Sequence, residues 1–244
     1  MKNYLFILLI CLGCASKKEI VAPKFESKIV SNEKLSCRAI FVDTDKVWLG
    51  MDKGRYGFYD KKKDTLVVKT IQSVSNTTEF RSIAATKDAI FILAVGNPAK
   101  LIKIDKKSLQ ETIVYQEENE KVFYDSMQFV DNLNGFAMGD PTEDCLSFIK
   151  TTDGGNSWEK VSCANFPKVS EGEAAFATSN TNLIVKGKSI FMVSGGKKSR
   201  VFVSLDFGTS WQVYETPIVQ GEEMTGIFTA DFYNEKTGII AGGN

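Results

Sequence analysis

The sequence predicts an all-β fold built from repeated four-stranded antiparallel units. Three observations carry this. Short apolar runs recur, each closed by glycine or turn residues. Helical periodicity is nearly absent. The runs also repeat with a period of about 45 residues.

The first strand of each unit begins near Cys37 (CRAIFVD), Arg81 (RSIAAT), Asp125 (DSMQFV), Glu173 (EAAFATS) and Gly226 (GIFTADF), at separations of 44, 44, 48 and 53 residues. Second strands end at Gly50, Gly96, Gly139, Gly195 and Gly242. Third strands read GRYGFYD, AKLIKID, CLSFIKT and RVFVSL, and fourth strands TLVVKT, ETIVYQ, SWEKVS and SWQVYE. One four-stranded sheet cannot bury both its faces, whereas sheets stacked radially bury each face against a neighbour and leave only short edges. Four antiparallel strands at this spacing are the signature of a β-propeller blade. The run from Ile90 to Val95 is apolar at every position, which suits a strand covered on both sides. Four full units and two strands of a fifth are visible in residues 35–244. The expectation is a propeller incomplete at its C-terminus, cut from a ring of six or seven blades.

A turn motif recurs at blade spacing. Thr151-Thr152-Asp153-Gly154-Gly155-Asn156-Ser157-Trp158 matches Ser204-Leu205-Asp206-Phe207-Gly208-Thr209-Ser210-Trp211, 53 residues later. Both resemble the Asp box of sialidase-like propellers, placed between a blade's third and fourth strands. Asp153 and Asp206 are expected to accept backbone N–H groups within the loop. Gly155 and Gly208 supply positive φ, and Trp158 and Trp211 fold beneath the turn. These roles are structural. If Thr151 lies opposite Trp158, then Cys145 lies opposite Cys163 or its neighbour, within disulfide range. A Cys145–Cys163 disulfide is therefore expected, with Cys37 a lone buried thiol.

The N-terminus reads as an address. Lys2, an apolar run from Tyr4 to Leu12 and then Gly13-Cys14 describe a secretory signal too short to span a bilayer. It resembles a bacterial lipoprotein signal: residues 1–13 are removed, Cys14 is lipidated, and residues 14–34 form a polar tether. The expected location is the cell envelope, on the periplasmic or outer-membrane face, with the lipid as the only membrane contact.

Thirty Lys+Arg balance thirty Asp+Glu, and His is absent. Zero formal charge argues against nucleic acid as a partner. Without His, neither Ser-His-Asp nor Cys-His catalysis is available, and no zinc spacing, CxxC or glycine-rich dinucleotide loop exists. No cofactor and no metal are expected. The most site-like loops hold Asp140, the pair Glu171 and Glu173, and the pair Lys198 and Arg200. A spacing of two on extended backbone would point Glu171 and Glu173 the same way, facing a basic pair on the next blade. Asp125, Asp140, Glu171 and Glu173 are also the carboxylates a glycosidase could use.

GFAMGDP, the two Asp boxes, EGEAAFATSNTN and SGGKKSR together carry a family resemblance. The chain resembles exported bacterial proteins of Bacteroidetes type with sialidase-like (BNR) repeats, similar to the photosystem II stability and assembly factor. The resemblance covers roughly residues 35–244 and implies a six- or seven-bladed propeller; it does not carry a photosynthetic role. Similar chains are often labelled "oxidoreductase", and no flavin, nicotinamide or haem motif in these residues accompanies the label. The expected work is protein or glycan binding, as an assembly platform in the envelope. The rival is a glycoside hydrolase using rim carboxylates. Resemblance to a sialidase would require an arginine triad; Arg38 and Arg81 could sit at inner-strand starts, but Arg55 and Arg200 lie elsewhere in their units. One outcome follows from the address: metabolic labelling with a radioactive fatty acid marks the expressed protein, and Cys14→Ser abolishes both the label and membrane retention.

Overall fold

A computed structural model describes residues 24–176 and 180–244; the signal segment, Cys14 and the start of the tether lie outside the described residues. Residues 24–36 carry no strand or helix. From there the chain forms five four-stranded antiparallel sheets. The first sheet is β1 (Cys37–Val42), β2 (Lys46–Met51), β3 (Arg55–Asp60) and β4 (Thr65–Thr70). The second is β5 (Phe80–Ala85), β6 (Ala89–Ala94), β7 (Ala99–Asp105) and β8 (Glu111–Glu117). The third is β9 (Tyr124–Phe129), β10 (Gly135–Gly139), β11 (Ser147–Thr151) and β12 (Glu159–Lys160). The fourth is β14 (Leu183–Lys186), β15 (Ser189–Val193), β17 (Arg200–Ser204) and β18 (Gln212–Glu215). The fifth joins β19 (Gly226–Asn234) and β20 (Thr237–Gly243) to two short pieces of the preceding unit, β13 (Glu173–Ala174) and β16 (Gly195–Gly196).

The inner strands β1, β5, β9, β14 and β19 stand next to one another in that order, so the sheets radiate from a common axis. Burial on both faces is visible residue by residue in β6, where every position is buried. Ile90, Ile92 and Ala94 pack with Trp48, Phe58 and Ile104 between the first and second sheets. The alternate residues Ala89, Phe91 and Leu93 pack with Met127, Ile149 and Trp158 between the second and third. β15 repeats the device: Ile190 and Met192 face the third sheet, Phe191 and Val193 the fifth. The outermost sheets bury one face each. Ile40 and Val42 on β1 are 63% and 65% exposed, and Tyr233 and Ile239 on the fifth sheet 87% and 75%.

The Asp boxes occupy the β11–β12 and β17–β18 turns and are near-copies. Thr151 Oγ1 donates to Asp153 Oδ1 at 2.8 Å and accepts Gly155 N at 3.0 Å. Asp153 Oδ1 accepts the backbone N–H groups of Asn156 and Ser157, and Ser157 Oγ donates to Oδ2 at 2.7 Å. Ser204, Asp206, Gly208, Thr209 and Ser210 repeat these contacts. At Asp153 burial opposes ionisation, but the donated hydrogen bonds win and hold its pKa down at about 2. At Asp206 the Ser210 hydroxyl and backbone N–H lead, with the same result of about 2. The tryptophans reach into the gap between sheets. Trp158 meets Phe129 edge-on at 5.6 Å. Trp211 meets Phe148 edge-on at 5.5 Å and packs on Phe166 at 4.7 Å.

Cys145 and Cys163 form a disulfide with Cα atoms 5.5 Å apart, although they are not cross-strand partners. The β11–β12 ladder has the expected register, with Lys150 opposite Glu159. It ends at Lys160, and a single 3-10 turn (Cys163–Asn165) swings Cys163 back, leaving Lys168 bridged to Cys145. Cys37 is exposed rather than buried, because it opens β1 on the sheet face that no neighbour covers.

The fourth unit departs from the sequence expectation. Its inner strand starts at Leu183, not at Glu173. Glu173 and Ala174 pair instead with Gly196 and Gly195, and Gly195 pairs with Gly226 of the fifth unit.

Gly155 combines two constraints: φ is +73°, and a Cβ there would stand 2.3 Å from Phe91 Cε1. Gly187 also has positive φ, +59°, but nothing lies within 4 Å of its would-be Cβ. Gly187→Ala is expected to destabilise by about 1 kcal/mol, the left-handed penalty alone. Gly155→Ala is expected to cost roughly 1–3 kcal/mol more, by overpacking Phe91. Denaturant midpoints of the two variants check the difference; equal losses would refute this account of the Asp-box packing.

Candidate functional site

Four of the five inner strands, β1, β5, β9 and β19, carry a β-bulge near their start, on one rim. In β1, Cys37 pairs with Met51 and Ala39 with Gly50, so Arg38 is the extra residue. Arg81 is extra in β5, Asp125 in β9 and Phe228 in β19. In the fourth unit Ala174 pairs with Gly195, while β14 pairs with β15 from Leu183 opposite Met192. A bulge leaves its extra residue unpaired and re-aims the side chain, and bulges gather beside functional sites for that reason. Here they place Arg81 and Asp125 on one rim, in neighbouring units.

Asp125 is the unusual one. It is 1% exposed, and neither carboxylate oxygen has a hydrogen-bond partner among the described residues. Burial, and then the negative charge of Asp140, push its carboxyl well above the usual carboxylate range, with Arg81 opposing. Asp140 follows β10 directly and is tied to the start of β9: its N–H donates to Phe123 O at 2.8 Å. Asp140 Oδ1 accepts Ala175 N at 2.9 Å, tying the residue that follows β13 to this rim. Burial raises Asp140 to about 6 against that hydrogen bond. Arg81 does not neutralise the pair outright. Its Nε and Nη2 both donate to Glu79 Oε2, at 3.1 and 2.9 Å. Asp125, buried, and Asp140, half-buried, thus lie within electrostatic reach of each other with no dedicated counter-ion, the arrangement that retains a proton near neutral pH. Among the described residues no group of three or more Asp, Glu or Cys side chains is placed to hold a metal ion.

Two clefts open on this rim, one beside Arg81 and one beside Asp140. One, of about 480 Å³, is lined by Glu79, Arg81, Gly96, Asn97, Pro98 and Lys100. The other, of about 510 Å³, is lined by Lys121, Asp140, Glu143, Asp144, Glu171 and Glu173.

The remaining sequence candidates separate. Gly172 has φ +74° and Glu173 N bonds back to Ser170 O, so a turn replaces the extended backbone on which the Glu171–Glu173 spacing argument rested. Glu171 is exposed, whereas the Glu173 side chain is fully buried. Arg200 grips Glu173 with two parallel bonds, Nε to Oε1 at 2.8 Å and Nη2 to Oε2 at 2.6 Å. Ser194 Oγ and Ser170 N complete the carboxylate's partners. This is a satisfied buried ion pair, and removing either partner alone would cost about 3–5 kcal/mol. Lys198 does not join it; its Nζ donates to Glu215 at 2.9 Å. The expected acid pair facing a basic pair is therefore one structural ion pair plus a separate surface bridge.

Sequence reasoning did not find the axial clamp. Asn180, with φ +67°, sits where the inner strands converge. Its Nδ2 donates to Ile83 O and Met127 O, and its Oδ1 accepts Met127 N at 2.6 Å. One side chain thereby joins the inner strands of the second and third sheets. The surplus residues before Leu183 are the sequence signal of this insertion.

Neither a protein-family model nor a curated protein matches the chain. Among solved structures it is similar to U3-55K, at 12% identity and TM-score 0.62, over 87% of this chain and 60% of that one. It is also similar to the WD40 β-propeller domain of Doa1, at 10% identity and TM-score 0.59, over 87% and 64%. YCF48 bound to D1 peptide aligns at 10% identity and TM-score 0.45, over 91% and 96%. The chain spans about 60% of the length of the first of these propellers. At such identities the likeness establishes the β-propeller fold.

The carboxyl pair makes a stability prediction with an unusual sign. The folded state holds its proton more tightly than the unfolded chain, where an Asp titrates near 3.9. Stability contributed by the pair is therefore greatest at acid pH and falls as pH rises from about 4 through the folded-state titration at about 6 and above. Asp125→Asn removes the repulsion. Its Tm is expected to exceed the wild-type value at pH about 8, by about 2–4 °C for each kcal/mol relieved in a chain of this size, and to match it at pH about 4. A variant less stable than wild type at pH about 8 would overturn this reading of Asp125.

Proposed function

We propose that the chain is an exported, lipid-anchored binding platform for a protein or glycan partner of the cell envelope, of the BNR-repeat type that its motifs resemble. The observation that carries the reading is the rim. The repeated inner-strand bulge brings charged residues from successive blades onto one face, beside two clefts of about 480 and 510 Å³. Propellers offer such faces because rigid sheets hold the loops in place while the loops vary freely. Oxidoreductase chemistry has no comparable support in the residues of the rim.

A second reading, a glycoside hydrolase, is favoured by one specific observation. Asp140 lines an open cleft and has its pKa raised to about 6, a property suited to a general acid. Its partner would be Glu171, because Glu173 is locked to Arg200.

Chemical cross-linking followed by affinity capture of the tagged, membrane-extracted protein separates the two. The platform reading expects a discrete cross-linked partner mapping to residues 79–100 or 121–175, and no turnover of envelope glycans. Glycan turnover that disappears in Asp140→Asn while the fold persists would replace it with the hydrolase reading.

A further inference from the structure

The third sheet has an unusually short outer strand. β12 holds two residues, where β4 holds six and β8 seven. From Val161 to Gly172 the chain leaves the ladder and runs as a strap, with the 3-10 turn Cys163–Asn165 and the single bridge from Lys168 to Cys145 as its regular structure. The strap has few anchors. Of its side chains only Phe166 is buried, packed on Trp211 at 4.7 Å and Phe148 at 5.7 Å. Val169 N donates to Asp144 O at 2.9 Å, Lys168 pairs with the Asp144 carboxylate, and Arg200 Nη2 donates to Lys168 O at 2.9 Å. The remaining tie is covalent, from Cys163 to Cys145, 18 positions apart.

That bond joins the two walls of the cleft beside Asp140. One wall carries Asp140, Glu143 and Asp144, and Cys145 follows it directly. The other carries Val169, Ser170 and Glu171, the end of the strap. A segment with little ladder and one buried side chain opens at lower cost than the sheets around it. A disulfide limits the freedom of the open chain, so its loss falls first on the segment it closes.

Resting on the platform reading for its consequence, we propose that Cys145–Cys163 is a redox clasp on this cleft: a dithiol releases the strap from Asp144 while the sheets persist, and the cleft loses one wall and its partner. Cys145 is 3% exposed, whereas Cys163 is half-buried in a turn whose neighbours Ser162 and Ala164 are exposed, so Cys163 is the sulfur an external thiolate reaches. The thiolate attacks Cys163 Sγ, the S–S bond breaks, and Cys145 leaves as a thiolate that takes up a proton. The second thiol of the dithiol then displaces Cys163, which is protonated in turn. The protein disulfide is reduced by two electrons and the dithiol ends as a disulfide.

The test is backbone hydrogen exchange of the full chain before and after reduction with dithiothreitol, and of the Cys145→Ser/Cys163→Ser double variant. Mass mapping confirms that both thiols are free, and circular dichroism that the sheets remain. Exchange in residues 166–170 is expected to quicken about ten-fold or more, and in β15 by less than about three-fold. Should the double variant fail to fold, the reduced wild-type chain gives the same comparison. Unchanged exchange in the strap overturns the proposal. So does an equal loss of protection in β15, which would make the disulfide a staple of the whole fold. Cross-links to a partner are expected to vanish from residues 121–175 on reduction and to persist at 79–100. Cross-links at 121–175 that survive with the strap released refute the clasp and leave the platform reading standing. Capture of no partner in either state refutes the platform reading, and exchange in the strap still decides the clasp.

Discussion

Everything in this molecule depends on sheets burying both faces against their neighbours. β6 shows the constraint at its strictest: six consecutive buried residues divide between two cores, even positions to one side and odd to the other. Such a strand is stable only between two other sheets, since water on either side would leave large aliphatic and aromatic surfaces exposed. The Asp boxes serve the same constraint from the outer side. Each turn saturates one aspartate with internal donors, which frees the following tryptophan to fill the gap between adjacent sheets.

Radial stacking has a second consequence, on which the candidate site depends. The bulge recurs at the head of four inner strands, so it is a feature of the repeat and not of any single blade. The residue occupying it is free to differ between units, because it is not part of the ladder. Arginine in two units, aspartate in the third and phenylalanine in the fifth give the rim its chemical character without altering the sheets. In the fourth unit the Asp140 carboxyl holds Ala175 N, and Asn180 clamps the inner strands of the second and third sheets.

The acids on this rim divide according to what surrounds them. Glu173 and Asp125 are both buried, but Glu173 has a bidentate arginine and two further donors, whereas Asp125 has none. The first stabilises the join between the fourth and fifth units. The second is buried beside a like charge and is neutralised by retaining a proton. The network of Glu117 with Tyr115, Tyr124 and Lys160 lies nearby and is complete: both phenols donate to one carboxylate oxygen at 2.8 Å and Lys160 meets the other.

Local chemistry and repetition were legible in the sequence. The spacing of Gly50, Gly96 and Gly139, the unbroken apolar run from Ile90 to Val95, and the two S/T-x-D-x-G-x-S-W turns determined the all-β repeat, the position of most strands and the roles within the Asp boxes. These depend on contacts within a hairpin, where sequence distance and spatial distance coincide. What lay beyond the hairpin was decided by the tertiary structure. A bulge leaves no mark in hydrophobic pattern, so the common rim of Arg81 and Asp125 was not readable, nor was the displacement of the fourth inner strand to Leu183. Gly172 turned two glutamates apart that spacing alone would align. Whether a carboxylate is solvated, paired or stranded depends on residues tens of positions away, such as Arg200 for Glu173 and Asp140 for Asp125. The sequence by itself determined the repeating unit. Only the packing of one unit on the next decided which of its charged residues are left unmatched.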